Sequence, residues 1–289
     1  MATIRNPIEW IGSSLRLAGS TVADAAHAVV GDEASRSAAL PAIRRIRVAD
    51  LRDALESGVD DFGAFRTDVL FIVIVYPLAG LLLARLILDE NALPMLFPVA
   101  AGFALIGPVA AVGLYEMSRR RERGEAVSWA TAFGVIRAPG FGAIVALGLV
   151  LLGIFGVWML AALVIYDATL GPNPPASMSA FAHDVLTTGP GWTMIVVGIG
   201  VGFLFAALTL VISVVSFPMI IDRGVPLRVA VATSVRAVRA NPRTMATWGL
   251  FVAGGLVLGS LPIFLGLIFV LPILGHATWH LYRKLVAFP

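Results

Sequence analysis

The polarity of the chain changes character near residue 68. Before that point apolar residues are scattered. After it come six continuous apolar blocks, at about 68–88, 93–116, 140–166, 193–221, 244–261 and 263–282. Each approaches the ~20 residues that a helix needs to cross a hydrocarbon core of about 30 Å. Lipid offers no partner to backbone N–H and C=O groups, so a spanning segment must satisfy them within itself or in a closed barrel. A barrel strand reads as a segment of about ten residues with alternating polarity, and these blocks do not alternate. The pattern therefore predicts an all-α fold, a polytopic membrane helical bundle with six transmembrane helices. Residues 244–282 are long enough for two spans, and Pro262, just after Gly259-Ser260, interrupts them. Proline removes an internal helix hydrogen bond, so a tight turn is expected there.

The remaining pattern divides the chain into an N-terminal region, 1–67, and a membrane domain, 68–285. Within Asn6–Val30, residues Ile8, Trp10, Ile11, Leu15 and Leu17 form a weak amphipathic pattern, the kind that lies on a membrane surface. Gly31–Ala42 reads as a linker. Val48, Leu51, Leu55, Val59 and Phe62 then recur at helical spacing, with Asp50, Arg52, Asp53, Glu56 and Asp60 opposite. This predicts an amphipathic helix at the cytoplasmic interface, leading into the membrane. Two later segments resemble each other. Glu122-Arg123-Gly124 leads to Pro139, and Asp222-Arg223-Gly224 leads to Pro242. Each predicts a turn, an interfacial helix and a proline break, so an internal repeat is expected. Duplication of this kind is common in transporters. A short surface helix is expected over Met178–Leu186, in the longest loop of the opposite side.

Composition strengthens the membrane reading. Of 289 residues, 58% are hydrophobic and 13% charged, against about 25% charged in soluble domains. Mean hydropathy is +0.90 and the pI is about 9.8. The basic residues sit between apolar blocks, not on one interleaved face, so they orient the chain and no nucleic acid is expected as a partner. Of 21 Lys and Arg, eight lie in 1–67, five at 119–137, five at 223–243 and two at Arg283 and Lys284. Six spans put all of these on one side and leave only Arg85 on the other. This asymmetry predicts an N-in, C-in protein of the cell inner membrane. No signal peptide is expected, because 1–67 lacks a long apolar core. The absence of cysteine excludes disulfides, thiolate metal sites and a cysteine nucleophile.

Three stretches carry a resemblance: Ile46–Phe62 (IRVADLRDALESGVDDF), the Arg120–Glu125 turn, and Leu271–Leu285 (LPILGHATWHLYRKL). Over about residues 43–286 the chain resembles an uncharacterised family of bacterial six-helix inner-membrane proteins, known only as a domain of unknown function. Some members of that family are labelled cytochrome c oxidase subunit I. The resemblance implies location and fold, and supplies no catalytic residues. The oxidase label does not suit this chain. Its four histidines are His27, His183, His276 and His280, and only the last pair falls within a predicted span. Two haems and a copper need more ligands, spread over several helices.

His276 and His280 are the candidate site. Four residues apart, they share one helix face, and two imidazoles so spaced bind zinc or copper when a third ligand arrives. Glu116, Asp222, an N-terminal carboxylate or a partner chain could supply it. The expected role is structural: hydrogen bonding within the bundle beside Trp279 and Tyr282, with haem or a divalent metal as the alternative. Arg85 and Asp89 are expected to pair locally, and Glu116 with the arginines that follow it. No ionisable residue is expected near the membrane midplane, and no catalytic motif occurs. Gly198 with Gly202, and Gly255 with Gly259, are small-residue pairs that permit close helix approach. Pro77, Pro94, Pro98 and Pro108 kink or start helices of the first pair.

The leading expectation is a non-enzymatic membrane protein that binds or supports other membrane components. Its partners are the lipid bilayer and other membrane proteins or further copies of itself. The alternatives are a transporter or channel for a small neutral or lipidic solute, and a haem- or metal-binding accessory of a respiratory complex. Topology provides the first test. Reporter fusions at Ser177 and at the C-terminus should report opposite sides of the membrane, and agreement between them would sink the six-span arrangement.

Overall fold

The computed structural model describes residues 40–66, 81–82, 85, 90–128, 133–138, 140–262 and 264–287. Ten α-helices lie among the described residues: α1 (Ala49–Phe65), α2 (Leu96–Ala110), α3 (Val112–Glu122), α4 (Phe141–Thr169), α5 (Met178–Thr187), α6 (Gly189–Ser213), α7 (Ser216–Arg223), α8 (Leu227–Ala240), α9 (Pro242–Ser260) and α10 (Leu267–Leu285). Two 3-10 segments, Glu90–Met95 and Phe133–Arg137, precede α2 and α4. Most of the expected first span, Pro77 included, and the Asn6–Val30 pattern lie outside the described residues. So do His27, Asp89 and Pro139. Leu81, Leu82 and Arg85 are helical.

Helix α4, 29 residues long, extends about 43 Å at the ~1.5 Å rise of an α-helix. It and the run Gly189–Arg223 are long and apolar enough to cross a membrane. Their surfaces expose Leu149, Leu152, Leu160 and Val164 on α4, and Val196, Ile199, Phe203 and Leu204 on α6. Water would penalise so large an apolar surface, whereas lipid would not. Helix α4 packs between α2 and α6. There Leu105, Trp158 and Ala162 form a small apolar cluster, and the Trp158 indole donates to the Pro98 carbonyl at 3.0 Å.

Several boundaries differ from those that apolar runs alone predict. The second block divides at Ala111, three residues after Pro108, into α2 and α3. The fourth divides at Val214–Val215. There the Ser234 hydroxyl of α8 donates to the Val211 carbonyl at 2.7 Å and accepts from the Val215 N–H at 3.3 Å. It has inserted into one i→i−4 step of the helix ladder, a recognised cause of a kink. Residues 261–262 and 264–266 turn between α9 and α10. Gly255 faces Val270 and Leu274, and Gly259 faces Leu267 and Gly266. Gly198 and Gly200 meet open space, so the helix contact expected of Gly198 is not made among the described residues.

The two similar segments begin alike and continue differently. Gly124 and Gly224 both take the left-handed conformation, with φ of 68° and 60°, which glycine adopts without steric cost. After Gly124 comes the 3-10 segment Phe133–Arg137, and residues 129–132 lie outside the described ones. After Gly224 comes α8, fourteen residues long. Asn241 ends α8, and Pro242 opens α9 at a position where its missing N–H would be unpaired anyway.

The N-terminal segment is bound to the C-terminal helix. Ala42–Ile43 (β1) pairs antiparallel with Val286–Ala287 (β2). The buried Asn241 side chain accepts from the Ile46 N–H at 2.8 Å and donates to the Arg44 carbonyl at 3.0 Å. Helix α1 lies along α10. Its buried face is Leu51, Ala54, Gly58 and Asp61, while Val48 and Val59, expected inside, are exposed. The face rotates toward small residues because the helices touch backbone to backbone. A Cβ at Gly58 would lie 2.8 Å from the Ala277 nitrogen and the Ile273 carbonyl oxygen. Gly58→Leu should therefore lift α1 from α10 and cost roughly 1–3 kcal/mol. Faster proteolysis at Ala49–Phe65 and lower thermal stability in detergent would be observed, and unchanged protection would refute the close packing.

Candidate functional site

The polar side chains of α10 crowd its last three turns, and each meets a partner on another helix. His276 Nδ1 lies 2.8 Å from the Ser118 hydroxyl of α3, which donates to Asp61 Oδ2 of α1 at 2.5 Å. The His276 ring also bonds the Leu114 backbone. His280 Nε2 lies 2.9 Å from the same Asp61 oxygen, and Arg121 donates to Asp61 Oδ1 at 2.6 Å. The Arg121 guanidinium also stacks over Phe65, which flanks His276.

A second group lies beside the first. Glu122 accepts from the Trp279 indole at 3.0 Å and from Arg283 at 2.9 Å. Asp222 accepts from the Tyr282 hydroxyl at 2.9 Å, Arg123 at 3.0 Å and Arg223 at 3.1 Å. Lys284 reaches Asp53 of α1 at 2.9 Å and holds that carboxyl below its ordinary value. Trp279, Tyr282, Trp248 and Phe217 are fully buried and form the apolar floor beneath these pairs.

Asp61 is the least expected member. Its side chain is only 4% exposed. Burial pushes its pKa up, but the hydrogen bonds from His280 and Ser118, with the charge of the nearby imidazoles, outweigh burial and leave it lowered. The carboxylate is thus the form this site favours. The signal in the sequence was its position: three residues after Gly58 and seven after Ala54, Asp61 continues the buried stripe of α1. Glu116 pairs with its neighbours as expected, accepting from Arg119 at 2.7 Å and Arg120 at 2.7 Å. Asp222 is held in its own cluster and does not approach the histidines as a third ligand.

Two cavities open at this end. One, of about 230 Å³, is bounded by Glu116, Arg119, Arg120, Arg137, Ile144 and Ile220. The other, of about 280 Å³, is bounded by Glu122, Arg123, Asp222, Arg223, Trp279 and Arg283. In the second, both carboxylates already serve the surrounding donors.

Asp61, an N-terminal carboxylate, lies beside His276 and His280, and the Ser118 hydroxyl bonds both Asp61 Oδ2 and His276 Nδ1. No cluster of three or more His, Asp or Glu that could hold a metal ion occurs among the described residues. His183 sits on α5, away from the pair, where its carbonyl accepts from Thr187.

Long apolar helices with lipid-type surfaces, joined to a charged and internally paired end, define an α-helical integral membrane protein. A family model described as Predicted integral membrane protein (DUF2189) matches residues 96–222. That range contains the Arg120–Glu125 turn, so an uncharacterised membrane-protein family is the right comparison. The Ile46–Phe62 and Leu271–Leu285 stretches lie outside it. No curated protein and no solved structure matches the chain.

Asp61 generates a pH prediction. Its folded pKa lies below the unfolded value near 3.8, so the unfolded state takes up the proton first. Its contribution to stability is full above that value and is lost as pH falls through the lower folded value. Asp61→Asn should cost about 1–3 kcal/mol near neutral pH and should flatten the acid limb of the melting profile. Identical acid limbs would show that Asp61 does not lock α1 to α10.

Proposed function

We propose that this protein is a non-enzymatic component of the inner membrane that crosses it six times with both termini in the cytoplasm, and that binds or supports other membrane components. One observation carries this reading. The three buried carboxylates, Asp61, Glu116 and Asp222, are each met by donors of the protein itself. An enzyme needs a base or nucleophile with free capacity, and a proton pathway needs ionisable groups along the spans. Here such groups fasten α1, α3, α7 and α10 together.

The positive-inside rule supports the orientation, because the arginine-bearing ends of α3, α7, α8 and α10 gather with α1. The matching glycine turns at Gly124 and Gly224 support descent from a duplicated unit that has since diverged. In this reading His276 and His280 are structural. His280 meets Asp61 directly and His276 reaches it through Ser118, so the pair joins the first described helix to the last.

The test is the composition of the native protein purified in a gentle detergent. It should contain no stoichiometric haem, copper or zinc, and His276→Gln with His280→Gln should retain much of the helical content while melting at lower temperature. Stoichiometric metal or haem that disappears in the double variant would establish a redox accessory instead. Uptake of a small neutral solute by proteoliposomes would establish a transporter.

A further inference from the structure

The cavity beside Glu116 has an unbalanced charge. Glu116 occupies both of its oxygens with Arg119 and Arg120. Arg120 also lies 3.5 Å from Glu125 at the rim. A guanidinium has five N–H donors, so both arginines keep donors in reserve. Arg137, on the 3-10 segment across the opening, makes no hydrogen bond or ion pair among the described residues. Three guanidinium groups thus line one cavity that contains one carboxylate. Arg119 and Arg120 are only 16% and 28% exposed, so water compensates their charge incompletely. Hydrogen bonding to Glu116 keeps Arg119 more firmly protonated than an ordinary arginine.

We propose that this cavity binds the phosphate of an anionic phospholipid from the leaflet at the arginine-rich end. Arginine presents a planar fork of donors that matches phosphate oxygens in pairs, and basic pockets between membrane helices bind anionic headgroups in this way. At about 230 Å³ the cavity is smaller than the ~300–1,000 Å³ typical of drug-sized ligands, and suits a headgroup phosphate with its glycerol. Gly140 lines it at the start of α4, where no side chain caps the helix. A headgroup or a soluble phosphate would offer the arginines the same chemistry. The walls favour the lipid. Ile144, Ile220 and Ile221 form the apolar side. Beginning five residues beyond Ile144, α4 exposes Leu149, Val150 and Leu152, a path along which an acyl chain can leave. The proposal rests on the membrane-spanning reading above.

The test uses the full-length protein in nanodiscs of phosphatidylcholine with a minor fraction of phosphatidylglycerol. Lipid retained on release is counted by native mass spectrometry. Wild type should retain phosphatidylglycerol preferentially. Arg137→Gln, a change at an exposed side chain with no partner among the described residues, should lower that preference about tenfold, the effect of losing one charge-assisted contact. Arg120→Gln should lower it similarly, and Arg137→Lys less, with melting of the Arg137 variants unchanged. Equal retention by wild type and Arg137→Gln would overturn the site. Displacement of the lipid by millimolar orthophosphate would overturn the lipid assignment in favour of a soluble phosphate. Failure to insert into nanodiscs at all would strike the membrane reading, not the cavity.

Discussion

A carboxylate removed from water costs several kcal/mol unless its oxygens are met by donors, and the charged end of this protein is arranged around meeting that demand three times. At Glu116 the solution is local: Arg119 and Arg120, one helical turn on, supply the donors. At Asp61 and Asp222 it is long-range. Asp61 of α1 takes Ser118 and Arg121 from α3 and His280 from α10. Asp222, at the end of α7, takes Arg123 from the end of α3 and Tyr282 from α10. Each acid therefore fixes the relative positions of three elements. Removing one partner would leave a buried charge exposed to the others, so these contacts enforce one arrangement even where their net contribution to stability is small. Among the described residues, the opposite end of α4 and α6 has no comparable fastening and packs on the apolar cluster around Trp158.

The same demand applies to the backbone. Thr233, Ser260 and Thr278 return their hydroxyls to carbonyls four residues back on their own helices, the usual way for such residues to sit in apolar surroundings. Ser234 does something different. By bridging Val211 and Val215 it breaks one step of a neighbouring helix while satisfying both of its ends. The kink sends α7 toward α3 and α10, and this brings Asp222 to Tyr282. Asn241 acts similarly at the α8–α9 break, holding the extended backbone of residues 44–46 by both ends of its amide. Thr244 reinforces it by donating to the Ile46 carbonyl at 3.0 Å.

How much of this could be read from the sequence depended on the range of the interaction. Apolar blocks overlap α4, α6, α9 and α10, because hydrophobicity is a local property, although the block over α6 runs on through its break at Val214. The Glu116 pairs were legible for the same reason, and so was the shared face of His276 and His280. Helix α1 was legible as a helix, yet its buried face was not. A search for the largest apolar stripe turns Val59 inward, whereas contact with α10 selects the smallest residues and places Gly58 against backbone. Asp61 followed Gly58 inward unnoticed. Its acceptor role toward His280 joins residues 219 positions apart, a separation that no periodicity encodes. The kink at Val214 was illegible because its cause, Ser234, lies on another helix.

The charged end leads to a conclusion about where function resides. Arginines are concentrated there, and acids are present in smaller number. The structure spends those acids on internal fastening: Asp61, Glu116, Glu122 and Asp222 all receive donors from within the protein. Arg137, by contrast, makes no hydrogen bond or ion pair among the described residues. The cavity beside Glu116 has three guanidinium groups around one carboxylate whose oxygens are already met by donors. It is well suited to holding an anion beside an apolar wall. The orientation and the ligand proposed above would thus both draw on one charge asymmetry.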